Sequence, residues 1–186
     1  AVALTTGALN LPRWLAQPAW PVDEAASSAA APVGGETAAD SRLDASIAAL
    51  QAALKDDQPV GDELAAVSLA DAYLQKAGDT TDPSYYGRAE ALYGRVLETE
   101  PERAAALVGL GTVELSRHRF AEALALGERA ATAEPANAAA LGVIADAQVE
   151  LGRYDEAVAT VQKMVNLRPN LASYARVSYL RELMGD

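Results

Sequence analysis

The chain has 186 residues, with 15 Lys and Arg against 26 Asp and Glu and a formal net charge of -11. No cationic surplus exists to displace counterions from phosphates, so nucleic acid is excluded as a partner. Cysteine is absent and histidine occurs once, which removes thiolate chemistry, disulfides, Cys/His zinc sites and any histidine-based triad, and leaves no cofactor or metal to expect.

The apolar character is mostly small: the hydrophobic class reaches 51%, aromatics only 5%, and 43 residues are alanine. Such a chain suits closely packed helices and disfavours a strand-rich fold. No apolar run reaches the ~18 residues that span a bilayer. Residues 1–22 carry one charge, at Arg13, and start on Ala1. A small residue at a new terminus is what signal-peptide cleavage leaves, which points to export, while expression trimming explains it as well and keeps a cytoplasmic setting open. Residues 23–41 are an Ala, Ser, Gly and Pro linker without apolar periodicity. Residues 1–41 therefore read as one extended tail and residues 42–186 as the folded array. The tail's anchors are Trp14 and Trp20, set among prolines that favour an extended run. Their indoles either fold back on the array or insert into a neighbouring subunit or another protein.

From Arg42 the texture becomes helical. Leu43, Ile47, Leu50 and Leu54 form a stripe at helical spacing. Pro101, Pro135 and Pro169 then fall 34 residues apart, and the segments between them superimpose as a helix, an Arg-Phe or Arg-Tyr turn, a second helix and a terminating proline. The predicted elements are a helix at 42–55, pairs at 62–77 with 84–98, 104–117 with 121–133 and 138–151 with 155–167, and an unpaired helix at 172–184. The repeats run at about 62–101, 104–135 and 138–169.

This pattern resembles the tetratricopeptide repeat. In one unit the resemblance is carried by Leu107, Leu110, Gly111, Phe120, Ala123, Ala130 and Pro135, and in the next by Leu141, Ile144, Ala145, Tyr154, Ala157 and Pro169. An earlier unit shows Leu69, Ala70, Tyr73, Tyr86, Ala89, Val96 and Pro101, with AGDTTDP inserted in its turn. Small residues are expected where helices cross, and Phe120 and Tyr154 are expected to plug the turns. Glu114 and Gln148 depart from the expected tyrosine and Met164 from a small residue, which suggests local looseness. The resemblance implies an all-α, right-handed solenoid of helix-turn-helix repeats preceded by the extended tail, of the kind found in bacterial multi-repeat proteins.

The resemblance also implies a concave groove lined by the first helix of each pair, with Asp71 and Gln75, Thr112 and Ser116, and Asp146 and Glu150 at equivalent places. That groove reads as acidic. Gly109 and Gly142 share its lining, and glycine inside a helix costs about 1 kcal/mol relative to alanine, so each has a steric reason. Either they leave room for a bulky side chain of a bound peptide or they permit close helix packing. The cations with which some members of the family clamp a terminal carboxylate are missing at these places, so an extended, apolar segment with a few positive charges suits the groove better. The chain's own LNLPRWLAQPAWP has those traits, and it is expected to dock on a repeat surface in cis or in a neighbour.

His118 reads as a solvated turn residue, and Asp79 to Asp82 as an exposed acidic turn without the spacing of a calcium loop. The terminal helix carries Tyr174, Val177, Tyr179, Leu180, Leu183 and Met184 where a solenoid end needs a polar face. Either the natural chain continues or a partner covers it. The function expected is a protein-binding scaffold or adaptor, not an enzyme, that holds a partner protein or peptide in the groove. The alternative is a structural subunit of a larger assembly, held by the tail and the terminal helix.

Overall fold

The computed structural model describes residues 38–55 and 62–185. Trp14, Trp20 and the segment containing them lie outside the described residues. Eight helices follow in order: α1 (Ala38–Lys55), α2 (Asp62–Thr80), α3 (Ser84–Thr99), α4 (Ala104–Ser116), α5 (Phe120–Ala133), α6 (Ala138–Glu150), α7 (Tyr154–Leu167) and α8 (Leu171–Met184). The described residues contain no strand. Consecutive helices pack on one another, and α4 also touches α2 and α6, so the first helices of successive pairs form one layer of a right-handed solenoid.

The prolines set the period by a local mechanism. The residue before each proline is pushed out of the helical region, and Glu100, Glu134 and Arg168 close α3, α5 and α7 with φ/ψ of -123/78, -132/87 and -146/86. Each still donates its N–H to the carbonyl four residues back, on Val96, Ala130 and Met164. After Pro135 and Pro169 the next helix starts on an asparagine cap, whereas Arg103 before α4 makes no side-chain cap bond. Asn137 accepts from the Ala139 and Ala140 amides, and Asn170 forms a capping box with Ser173.

Within a pair the turn is a left-handed C-cap. His118 (φ 59) and Gly152 (φ 73) occupy equivalent places, and the following Arg119 and Arg153 amides reach back to the Glu114 and Gln148 carbonyls at 2.9 and 2.8 Å. His118 is thus more than a solvated residue. It holds a glycine-type conformation, with its ring edge-on to Phe120 at 5.6 Å.

The crossing positions are buried as expected: Ala123 and Ala157 are fully covered, and a Cβ on Gly111 would meet Val143 Cγ1 at 2.7 Å. Looseness at the departures is not found. Glu114 is buried and paired with Arg119, while Gln148 accepts the Thr160 hydroxyl at 2.8 Å. Gln148 thus ties α6 to α7, whereas Glu114 holds Arg119 in the turn through Oε1 and an ion pair and leaves its buried Oε2 without a hydrogen bond. Met164 is buried. Tyr154, by contrast, is 45% exposed and plugs nothing.

Two boundaries differ from the sequence reading. α1 begins at Ala38, so the last residues of the supposed linker are helical, with Asp40 in the first turn where a negative charge is favoured. The insertion is mostly helix as well: α2 runs to Thr80, whose hydroxyl bonds the Lys76 carbonyl. Asp82 then accepts the Ser84 amide at 2.9 Å and turns the chain into α3. That bond holds its carboxyl below the usual range, so Asp82 is a turn residue with its acceptor engaged.

Candidate functional site

The residues expected to line a groove lie on α2, α4 and α6, the first helices of the three pairs, and their acids do not all stand free. Asp71 on α2 is exposed as a residue, but its carboxylate is partly buried where it accepts the Tyr93 hydroxyl at 2.5 Å. Tyr93 comes from α3, is itself fully buried, and reaches between α2 and α4. Burial raises the Asp71 carboxyl above its ordinary value, and the tyrosine hydrogen bond offsets part of this. Burial and the same carboxylate push the Tyr93 phenol up in turn.

Gly109 on α4 lies beneath that ring, because a Cβ built there would fall inside it. The room left by Gly109 is filled by the protein's own Tyr93.

At the other end Arg176 of α8 forms a two-pronged pair with Asp146 of α6, Nε to Oδ1 at 2.8 Å and Nη2 to Oδ2 at 2.6 Å. Its guanidinium covers Gly142, where a Cβ would stand 3.2 Å from Nη2. Two of the expected groove acids are therefore engaged internally, and both glycines sit under side chains of the same chain. Thr112 and Ser116 return their hydroxyls to the carbonyls of Val108 and Thr112, each at 3.0 Å. Gln75 and Glu150 are exposed on the same lining.

Sequence reasoning placed these residues on one face but missed Tyr93 and Arg176, the two that reshape it. An aromatic in a second helix and an arginine in the unpaired helix carry no motif. The signal was the pair of helix-interior glycines, each of which needed a neighbour.

Elsewhere, a shallow depression of about 490 Å³ lined by Glu100, Pro101, Glu102, Arg103, Ala104, Ala133 and Glu134 lies at the turn between repeats, away from this lining. Among the described residues no group of three or more His, Cys, Asp or Glu could hold a metal ion. No described helix is long and apolar enough to cross a membrane.

Stacked helix pairs with small crossing residues, left-handed turns and a shared lining define a helical repeat solenoid built for protein contacts. The chain belongs to the tetratricopeptide repeat family: one model of that description matches residues 114–182 and another residues 86–138. The family is one of protein-interaction modules, generally without catalysis, and at that level the chain is an interaction scaffold.

No curated protein matches it. Among solved structures it is similar to one described as "Crystal structure of MamA", with 17% identity and a TM-score of 0.59 over 83% of this chain and 86% of that one. It is similar also to "MamA RS-1 ArsTM double mutant", with 21% identity and a TM-score of 0.57 over 77% and 76%. The Arabidopsis OM64 TPR domain matches with 19% identity and a TM-score of 0.50 over 63% and 98%. These likenesses concern the fold.

Proposed function

We propose that the concave lining of α2, α4 and α6 binds an extended partner segment that carries arginine among apolar residues. The observation that supports this is the seat of Arg176. On this same face a guanidinium lies flat over a glycine and is held by both oxygens of a carboxylate, the geometry by which arginine recognises a carboxylate best. One turn further along α6 stands Glu150, exposed, and on α4 the half-buried Val108, Thr112 and Leu115, which would offer one charge and apolar contacts. Binding involves no covalent step: main-chain extension sets the reach, and side chains at alternate places select.

A labelled peptide of residues 9–21, LNLPRWLAQPAWP, is the first ligand to test, by fluorescence anisotropy against the full chain. Saturable binding that weakens in Glu150→Lys and when the peptide's arginine is replaced by glutamate is the expected result. Anisotropy unchanged up to the highest soluble protein concentration would count against a groove of this specificity. The second reading, a subunit of an assembly, draws on the exposed surface of α8.

A further inference from the structure

We propose that Arg88, mounted on the rings of Tyr73 and Tyr85 beside the α2–α3 turn, receives a carboxylate from an acidic segment of a partner protein. The inference goes beyond the groove and is independent of it. Tyr73 lies about 200° around α2 from Asp71, so the two places face nearly opposite ways.

Three helices build the seat. Tyr73 of α2 is buried, and its hydroxyl accepts from the Gln51 side-chain amide of α1 at 2.8 Å. The half-buried Tyr85 of α3 stands beside it, with ring centroids 5.8 Å apart and planes tilted by 35°. Arg88 is exposed and lies one turn further along α3, with its guanidinium carbon 5.1 Å from the Tyr85 centroid and 5.8 Å from that of Tyr73. Rings hold a guanidinium by its face, which leaves the N–H donors at its edge for another partner. Among the described residues none of those donors meets a carboxylate. Asp82 is near enough to sense the charge, but its own carboxylate accepts the Ser84 amide.

The other two pairs show what is missing. In register with Tyr85 and Arg88 stand Arg119 and Glu122 in the second pair, and Arg153 and Glu156 in the third. There each arginine has a carboxylate close by in the chain: Arg119 is bonded to Glu114, and Arg153 lies 4.0 Å from Glu156. In the first pair the cation has moved onto the helix, and Tyr73 takes the place of Glu114. A pre-oriented arginine is thus presented without its anion. Because two rings already fix the guanidinium, little side-chain freedom is left to lose when a carboxylate joins it, and both carboxylate oxygens can be taken at once.

The surroundings choose the anion. Lys76, on the α1 side, is already paired with Asp44 at 2.7 Å and adds no second open cation, while Asp40 and Asp82 add negative charge nearby. One arginine among acids suits a singly charged carboxylate better than a phosphate dianion. With a net charge of -11 on the chain, the segment that docks carries one or two acids among neutral residues, not a long acidic run.

Arginine Nε–Hε NMR spectra of the full chain test this, with the Arg88 signal assigned through Arg88→Lys. The probe is a blocked pentapeptide holding one glutamate among glycine and serine. A saturable shift at Arg88 is expected, with Arg42, an exposed arginine of α1, unmoved and no response to the glutamine version of the peptide. Tyr85→Leu should weaken binding about fivefold by freeing the guanidinium. Asp82→Asn keeps an acceptor for the Ser84 amide, removes a competing charge and should tighten binding. Four results would each overturn the proposal: no shift at Arg88 at the highest peptide concentration, an equal shift at Arg42, an equal response to the glutamine peptide, or inorganic phosphate binding as tightly as the glutamate peptide. Tyr85→Leu that lowers the melting temperature and leaves binding unchanged would also do so, because the stack then only fastens α2 to α3. Binding of the residue 9–21 peptide in the groove, and its response to Glu150→Lys, is read separately and survives each of these.

Discussion

The seam between α2 and α4 and the seam at α6 and α8 meet one requirement with opposite chemistry. In each, a glycine in a first helix lies under a side chain from a neighbouring helix, and that side chain bonds an aspartate at the groove. At the first seam the group is Tyr93, fully buried, with a single hydrogen bond. At the second it is Arg176, whose side chain is 27% exposed and whose partner Asp146 is 38% exposed. The first is a core contact that happens to reach the groove, and the second is a groove contact that ties down the last helix. Stability should therefore concentrate at the α2–α4 seam, and adaptability at α8.

The largest break in this comparison is Gly109→Ala. The added Cβ falls inside the Tyr93 ring, and a buried ring packed on α2 and α4 has nowhere to retreat. Overpacking of this kind costs about 2–3 kcal/mol, which a lowered urea midpoint at unchanged m-value would report. Tyr93→Phe comes next. It keeps the ring but strips Asp71 of its donor, at about 1–2 kcal/mol.

Asp71→Asn sharpens the same point through pH. Its Oδ1 still accepts from Tyr93 while the charge is gone. Because burial raises the Asp71 carboxyl in the folded state, folding favours its protonated form, and this contribution to stability grows as pH falls through the folded value. It is complete below the unfolded value. The variant should accordingly match or exceed the wild type at neutral pH, and the difference should vanish in acid. A larger gap in acid than at neutrality would contradict burial as the governing cause.

How much of this was legible in the sequence follows from range. The helix order, the pairings and the spacing are local matters: pre-proline geometry at Glu100, Glu134 and Arg168, asparagine caps, and crossing alanines all leave marks within a few residues. That α2, α4 and α6 share one layer was legible because the pattern repeats. The layer's charge was not, since Asp71 and Asp146 are spoken for by Tyr93 and Arg176, 22 and 30 residues away, and no periodicity announces such partners. The extra turn of α2 was hidden for another reason. AGDTTDP looks like a loop by composition, yet Ala77 is buried on the helix and a threonine hydroxyl closes its last turn, so tertiary contact overrode weak propensity.

At the second seam the matching substitution, Gly142→Ala, should change sign. Its Cβ meets only the tip of a flexible arginine, with Nη2 at 3.2 Å and Cζ at 3.3 Å, which can swing toward solvent. The helix gains from alanine and loses part of an exposed ion pair, for a net gain of about 0.5 kcal/mol. Measured beside Gly109→Ala, it separates the two seams with one substitution type. A comparable loss at both would mean that α8 is held as rigidly as the core.

Arg176→Ala has the smallest effect on stability and the most informative one on function. Removing a partly exposed ion pair costs about 0–1 kcal/mol and less in high salt, so the melting temperature should barely move while amide exchange in α8 quickens. In the groove the change is larger. Asp146 regains both acceptor oxygens, and the surface over Gly142 opens where the guanidinium lay. If the lining selects arginine-bearing segments, the residue 9–21 peptide should bind this variant more tightly than the wild type, because the internal competitor is gone, and Asp146→Asn in the same background should cancel the gain. Equal affinity in all three proteins would show that Arg176 only fastens the last helix, and that any groove specificity is set by Glu150 and the α4 surface.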